Sequence, residues 1–175
     1  MPSGTFGLII KFGEKETLMV DTKTPYLMIV EAQSYPDIVQ ELSTNAIKVF
    51  EDAGVEYECL KVPTEYEIPA AVAFAVRGHE FYSRRRRFDG YVALGCVIEN
   101  VVPHYDTHYF VECIRGLQNL TTEHALALGN GVYTCQNMAQ ATEWARKNSR
   151  NIGGHAAQTA LSMLDLKQHF GMKPR

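Results

Sequence analysis

The sequence predicts a three-layer α/β/α domain built on a central four-stranded parallel sheet. Three observations predict it. After Pro25, short apolar runs of strand length alternate with segments of helical spacing. Two of those runs, Tyr26 to Ala32 (YLMIVEA) and Tyr91 to Ile98 (YVALGCVI), are apolar at nearly every position, as strands covered on both faces are. Helix boundaries also fall where the alternation needs them, with Gly54 as a stop and Asn137 as a cap.

Taken in order, the first two dozen residues read apart from the rest. Thr5 to Phe12 and Thr17 to Asp21 are β-prone runs separated by Gly13-Glu14-Lys15-Glu16, a hairpin pattern with a four-residue loop. A lone hairpin is marginal in water, so this extension (residues 1–24) is expected to pack on the main domain (25–175) or on a neighbouring subunit. Tyr26 to Ala32 is the first strand of the domain. Asp37 to Ala53 places Ile38, Leu42, Ile47, Val49 and Phe50 close to helical spacing, and Val55 to Val62 is the second strand. Ile68 to Val76 is alanine-rich and helical, with Pro69 tolerated in a first turn. Tyr91 to Ile98 is the third strand, followed by a helix from Thr107 to His124 and a strand from Ala127 to Thr134. Asn137 caps a short helix reaching Lys147, and Gly153-Gly154 precedes a last helix from Ala156 to Phe170. Right-handed crossovers between parallel strands then put helices on both faces of the sheet.

Composition narrows the function classes. A chain of 175 residues with 46% hydrophobic residues suits one domain with a sizeable core, and no apolar run could span a bilayer. A net charge of −3 and an isoelectric point near 6.1 argue against nucleic acid as the main partner. Arg84 to Arg87 is the exception, and four arginines in a connection read as a solvated loop before they read as a phosphate or RNA site. No stretch near Met1 has the order of a signal peptide, so a cytoplasmic location is expected. Cys59, Cys96, Cys113 and Cys135 form no CxxC pair and read as reduced thiols, mostly buried.

In open parallel sheets, ligands bind outside the carboxyl ends of the strands. Those ends here read Glu31-Ala32-Gln33-Ser34-Tyr35, then Val62-Pro63-Thr64-Glu65-Tyr66-Glu67-Ile68-Pro69, then Ile98 to Asp106, then Asn137. Carboxylates, aromatics and a histidine on one sheet edge compose a pocket able to bind a polar ring and move protons. His104 is the foremost single candidate, since an imidazole titrates near neutrality; the competing reading is a histidine that caps the next helix. A rival reading gathers His104, Asp106, His108 and Glu112 as zinc or iron ligands, but no second ligand group stands elsewhere in the chain, so no metal is expected.

From Tyr26 to Gly171 these motifs resemble the lumazine synthase family, whose fold is a flavodoxin-like α/β/α sandwich. The family's VPGAxEIP appears as Val62 to Pro69, and its YDGYVALGCVIRGxTxH as Phe88 to His104. Its GNG appears as Gly129-Asn130-Gly131, and its KGxEAA as Gly153-Gly154-His155-Ala156-Ala157 after Ile152. The resemblance implies the condensation of 5-amino-6-ribitylaminouracil with 3,4-dihydroxy-2-butanone 4-phosphate, a step of riboflavin biosynthesis that uses no metal or organic cofactor. It implies His104 as the proton-transfer residue, Glu67 on the ribityl hydroxyls with Tyr66 beside it, and backbone groups of Val97 and Ile98 on the ring. It also implies Asn130 reaching the site from an adjacent subunit of a pentamer, itself free-standing or part of a larger hollow shell.

Several pocket positions depart from the family. Its arginine and ring-stacking aromatic after the first strand are Gln33 and Ser34, which leaves Tyr35 as the aromatic available to stack. The glycine of the second motif is Thr64, and the phosphate loop reads Glu99-Asn100-Val101-Val102. The phosphate-binding arginine aligns with Trp144 and a lysine with Ile152, leaving Arg146, Lys147 and Arg150 as nearby cations. Three readings follow: a lumazine synthase with unfamiliar pocket residues, a non-catalytic shell or ring protein of the same fold, and an enzyme of this fold acting on another, uncharged small molecule.

Overall fold

In the computed structural model, which describes residues 24–81, 86–99 and 105–172, four strands pair in parallel as β2-β1-β3-β4. They are β1 (Tyr26–Ala32), β2 (Glu56–Val62), β3 (Gly90–Ile98) and β4 (Leu128–Cys135). Tyr26 lies opposite Glu56, Leu27 opposite Gly90, and Tyr91 opposite Leu128. β3 is buried at all nine positions, which explains why its sequence shows no alternation. β2, on the sheet edge, keeps Glu56, Glu58 and Lys61 exposed.

Helices α1 (Pro36–Ala53), α4 (Met138–Ala145) and α5 (Ile152–His169) cover one face, and α2 (Ile68–Phe81) and α3 (Tyr105–His124) the other. The first face buries Leu27, Ile29, Val92 and Leu94 with Leu42 and Phe50 of α1 and Ala156, Ala157 and Ala160 of α5. The second buries Met28, Val30, Tyr91 and Ala93 with Val72 of α2 and Cys113 and Leu117 of α3. Alternate residues of one strand thus feed two cores, and the three-layer expectation holds.

Local chemistry sets the boundaries. Pro36 opens α1, and Gly54 ends it in the left-handed conformation (φ 66°), which only glycine adopts without strain. Asn137 caps α4 as expected, its Oδ1 accepting the Gln140 amide at 2.9 Å. That helix stops at Ala145 rather than Lys147, because Arg146 already turns extended (ψ 141°). α2 runs on to Phe81, five residues past the expected end at Val76. A 3-10 turn at Glu65–Glu67 between β2 and α2 was not anticipated.

Gly153 and Gly154 do not precede the last helix; they form its first turn. A Cβ on Gly153 would lie 2.0 Å from the Leu42 carbonyl oxygen, so this glycine serves close contact between α5 and α1. Asn151 caps this helix from a left-handed backbone (φ 47°), accepting the Gly154 amide at 3.3 Å.

The hairpin expected over residues 1–24 lies outside the described residues except for Thr24, and so do Arg84 and Arg85. Of the other two arginines, Arg87 is exposed, as a solvated run predicts. Arg86 is not: it pairs with Glu56, donates to the Thr24 carbonyl and lies 4.7 Å from the centre of the Tyr26 ring. No helix among the described residues is long and apolar enough to cross a membrane.

Candidate active site

β1 passes into α1 on one face and β3 passes into α3 on the other, so their connections part at the carboxyl ends of these neighbouring strands. Parallel sheets open a ligand crevice at such a switch point. The ends of β1, β2 and β3 contribute to it.

β3 ends with Val97 and Ile98, both buried, and Glu99, which is exposed. The Glu99 amide donates to Cys135 of β4 at 3.0 Å, whereas the Cys96 amide points to the β1 side and donates to Glu65 at 3.0 Å. Backbone groups alternate along a strand, so the N–H and C=O of Ile98 face the β1 side, beyond the end of β1. The Val97 carbonyl faces β4 and accepts from the Cys135 thiol at 3.8 Å. Of the two positions expected to offer backbone to a ring, Ile98 therefore faces the crevice.

The connection after β2 supplies Thr64, Glu65, Tyr66 and Glu67. Thr64 and Glu67 form a capping box: the Thr64 amide and hydroxyl both donate to Glu67 Oε2, at 2.8 and 2.7 Å, and the Tyr66 amide donates to the Thr64 hydroxyl at 3.3 Å. Thr64 thereby holds the Glu67 carboxylate through a single oxygen. Tyr66 is half exposed, its ring 5.2 Å from that of Tyr109 on α3. Tyr35, before α1, is half-buried and packs against the core on the α1 face.

Glu65 is the residue that sequence reasoning missed. It is only 5% exposed, and its carboxylate accepts the Ser34 hydroxyl at 2.7 Å and the Cys96 amide at 3.0 Å. Burial raises its pKa above the ordinary glutamate range; hydrogen bonds from Ser34, from its own backbone amide and from Cys96 oppose that shift, and the charge of Glu67 adds to it. The sequence signal was present in two parts, a carboxylate where the resemblance expects alanine and a serine where it expects an aromatic.

The remaining expected residues lie elsewhere or outside the described chain. His104, Asn100, Val101 and Val102 lie outside the described residues. Asn130 is exposed on β4 opposite Ala93, away from the β1–β3 opening, and its side-chain oxygen accepts the Val132 amide at 3.0 Å. Trp144 and Ile152 are half-buried against the α1-face core, and the Arg150 guanidinium lies 3.7 Å from the centre of the Trp144 ring. Of the rival metal set, Glu112 is paired with Arg115 and His108 is exposed; among the described residues no three His, Cys, Asp or Glu side chains gather as metal ligands. The four cysteines are free thiols: Cys59 is partly exposed and the other three are buried.

The family model of 6,7-dimethyl-8-ribityllumazine synthase matches residues 25–168. The protein of that name from Bartonella bacilliformis is 42% identical over 147 residues, covering 84% of this chain and 93% of its own. Its namesake from Paramagnetospirillum magneticum is 38% identical over 146 residues, 83% of this chain and 97% of its own. From Rhizobium meliloti, 6,7-dimethyl-8-ribityllumazine synthase 1 is 39% identical over 153 residues, 87% of this chain and 98% of its own.

Proposed function

Because the chain belongs to the 6,7-dimethyl-8-ribityllumazine synthase family, we propose that it condenses 5-amino-6-ribitylaminouracil with 3,4-dihydroxy-2-butanone 4-phosphate, releasing phosphate and two waters. The observation that carries this reading is the extent of the relationship, which spans every strand of the sheet and the helices that cover it. A non-catalytic ring or shell protein is not favoured, since relatives this similar over nearly their whole length bear the name of the synthase.

The chemistry asks chiefly for two substrates held in register and for protons moved between nitrogen, oxygen and carbon. In this reading Ile98 presents backbone N–H and C=O to the uracil ring, with the Val97 backbone next to it. Glu67 accepts ribityl hydroxyls, and Tyr66 and Tyr35 flank the opening. His104 moves the protons. The phosphate falls to the connection between α4 and α5, where Arg150 is stacked on Trp144. Asn130 serves an adjacent chain, which makes a pentamer or larger shell the working unit. No cofactor, metal or nucleic acid enters, and the location is the cytoplasm.

The deciding experiment incubates the assembled protein with both substrates and follows lumazine absorbance and fluorescence. Turnover that disappears in His104→Ala supports the reading. Absence of turnover from a properly assembled oligomer overturns it.

A further inference from the structure

We infer that Glu65 is a positioning residue of this site, clamping the mouth between β1 and β3 so that the Ile98 backbone is presented at a fixed height to the uracil ring. The inference rests on the functional reading above and adds a residue to it.

A carboxylate with 5% exposure is retained only where donors meet it. Here the donors come from the two elements that diverge at the switch point. Ser34, just past β1, donates to Oε2 at 2.7 Å, and the Cys96 amide of β3 donates to Oε1 at 3.0 Å. One side chain thus ties the open ends of neighbouring strands at the place where their own pairing has run out: the last β1–β3 partners are Glu31 and Leu94.

Space for it is built into β3. A Cβ on Gly95 would stand 2.7 Å from Glu65 Cγ, 3.0 Å from its Oε1 and 3.3 Å from the Ala32 Cβ. Glycine at this point lets the carboxylate lie flat against the strand. Two residues beyond Cys96, on the same edge, comes Ile98, whose backbone groups face the crevice. Moving the Cys96 amide tilts that edge, and Ile98 moves with it. A residue that only filled the core would not couple to one substrate in this way.

The test compares Glu65→Gln, Glu65→Leu and Ser34→Ala in the assembled protein, measuring KM for each substrate, kcat and binding of the fluorescent ribityllumazine product. The Gln side chain accepts from Cys96 and donates to Ser34, so it retains most of the wild-type behaviour. Glu65→Leu strips the Cys96 amide of its acceptor and raises KM for the ribitylaminouracil by about tenfold, leaving KM for the butanone phosphate within about twofold. Ser34→Ala, at an exposed position and with the Cys96 donor left in place, gives a smaller rise of about threefold in the same constant, and it decides the matter if Glu65→Leu fails to fold.

Unchanged KM in the variants, or equal loss for both substrates without rescue by Gln, overturns the inference while wild-type turnover keeps the functional reading intact. A wild-type protein that neither forms nor binds the lumazine overturns both.

Discussion

Gly153 of α5 lies directly against the backbone of Leu42 in α1: a single added methyl carbon would stand 2.0 Å from the Leu42 carbonyl oxygen and 2.8 Å from its Cα. Both obstacles are main chain, so no rotamer change relieves them. Gly153→Ala must separate the two helices and lower stability by about 3 kcal/mol, measured as a drop in the urea midpoint with an unchanged slope. Gly154→Ala meets only the Asn151 side chain, at 2.5 Å, and displaces that cap at a cost of about 1 kcal/mol. Equal losses at the two positions would refute this packing account.

Stability should depend on pH through Glu65. Its carboxyl is held above the ordinary glutamate value in the folded chain, so between the two values the folded state binds more protons than the unfolded. Unfolding free energy then falls as pH rises from the ordinary glutamate range through the raised folded pKa. Glu65→Gln removes this titration. The variant should match or exceed the wild type in stability at neutral pH, with any advantage shrinking as pH drops into the acid range. Urea unfolding at a series of pH values reads this, and parallel profiles for the two proteins would refute it.

Thiol reactivity should be low and ordered. Burial pushes the Cys113 thiol up to about 12, and Cys59, less buried, up to about 11. Cys96 is raised further by burial and by its neighbour Cys135, whose sulfur lies 3.6 Å away. Because the thiolate is the reacting form, a disulfide reagent at pH 8 should label Cys59 first and the other three only as the protein unfolds. Rapid native labelling of Cys113, seen by peptide mass spectrometry, would contradict the buried α2–α3 core.

The Arg150–Trp144 stack gives a substrate-specific expectation. If this guanidinium holds the phosphate, Arg150→Gln raises KM for the butanone phosphate by about tenfold, the loss of one charged hydrogen bond, and leaves the ribitylaminouracil constant unchanged. Trp144→Leu should give part of the same effect by removing the surface that orients the cation. Steady-state kinetics with each substrate varied in turn separates these outcomes, and an unchanged constant in Arg150→Gln moves the phosphate elsewhere.

The sheet was largely legible because its signals are local. Tyr26–Ala32 was read to the residue, and the other strands to within one residue at each end; β1 and β3, covered on both faces, declare themselves by nearly continuous apolar runs. The Gly54 stop and the Asn137 cap likewise depend on neighbours only. Gly153 was placed ahead of the last helix and not within it, because its reason, the Leu42 backbone, lies more than a hundred residues away. The 3-10 turn was missed although the Thr64-x-x-Glu67 capping box stood in the sequence. Glu65 was passed over for another reason: its paired departure with Ser34 stood in the sequence, but a carboxylate in a connection reads as solvated until contact with Ser34 and Cys96, each 31 residues distant, reveals its burial.

The strand order also bears on how the chain comes to be folded. β1, first of the four in sequence, ends in the interior of the sheet, with β2 on one side and β3 on the other. During synthesis β1, α1 and β2 emerge together, yet the second edge of β1 waits for a partner that begins at Gly90. For that interval one of the most apolar strands of the protein carries an unpaired backbone edge, the kind of surface that chaperones bind and that nascent chains aggregate through. Slowing translation between Val62 and Gly90 should therefore lower soluble yield more than slowing it after Ile98, when both edges of β1 are closed.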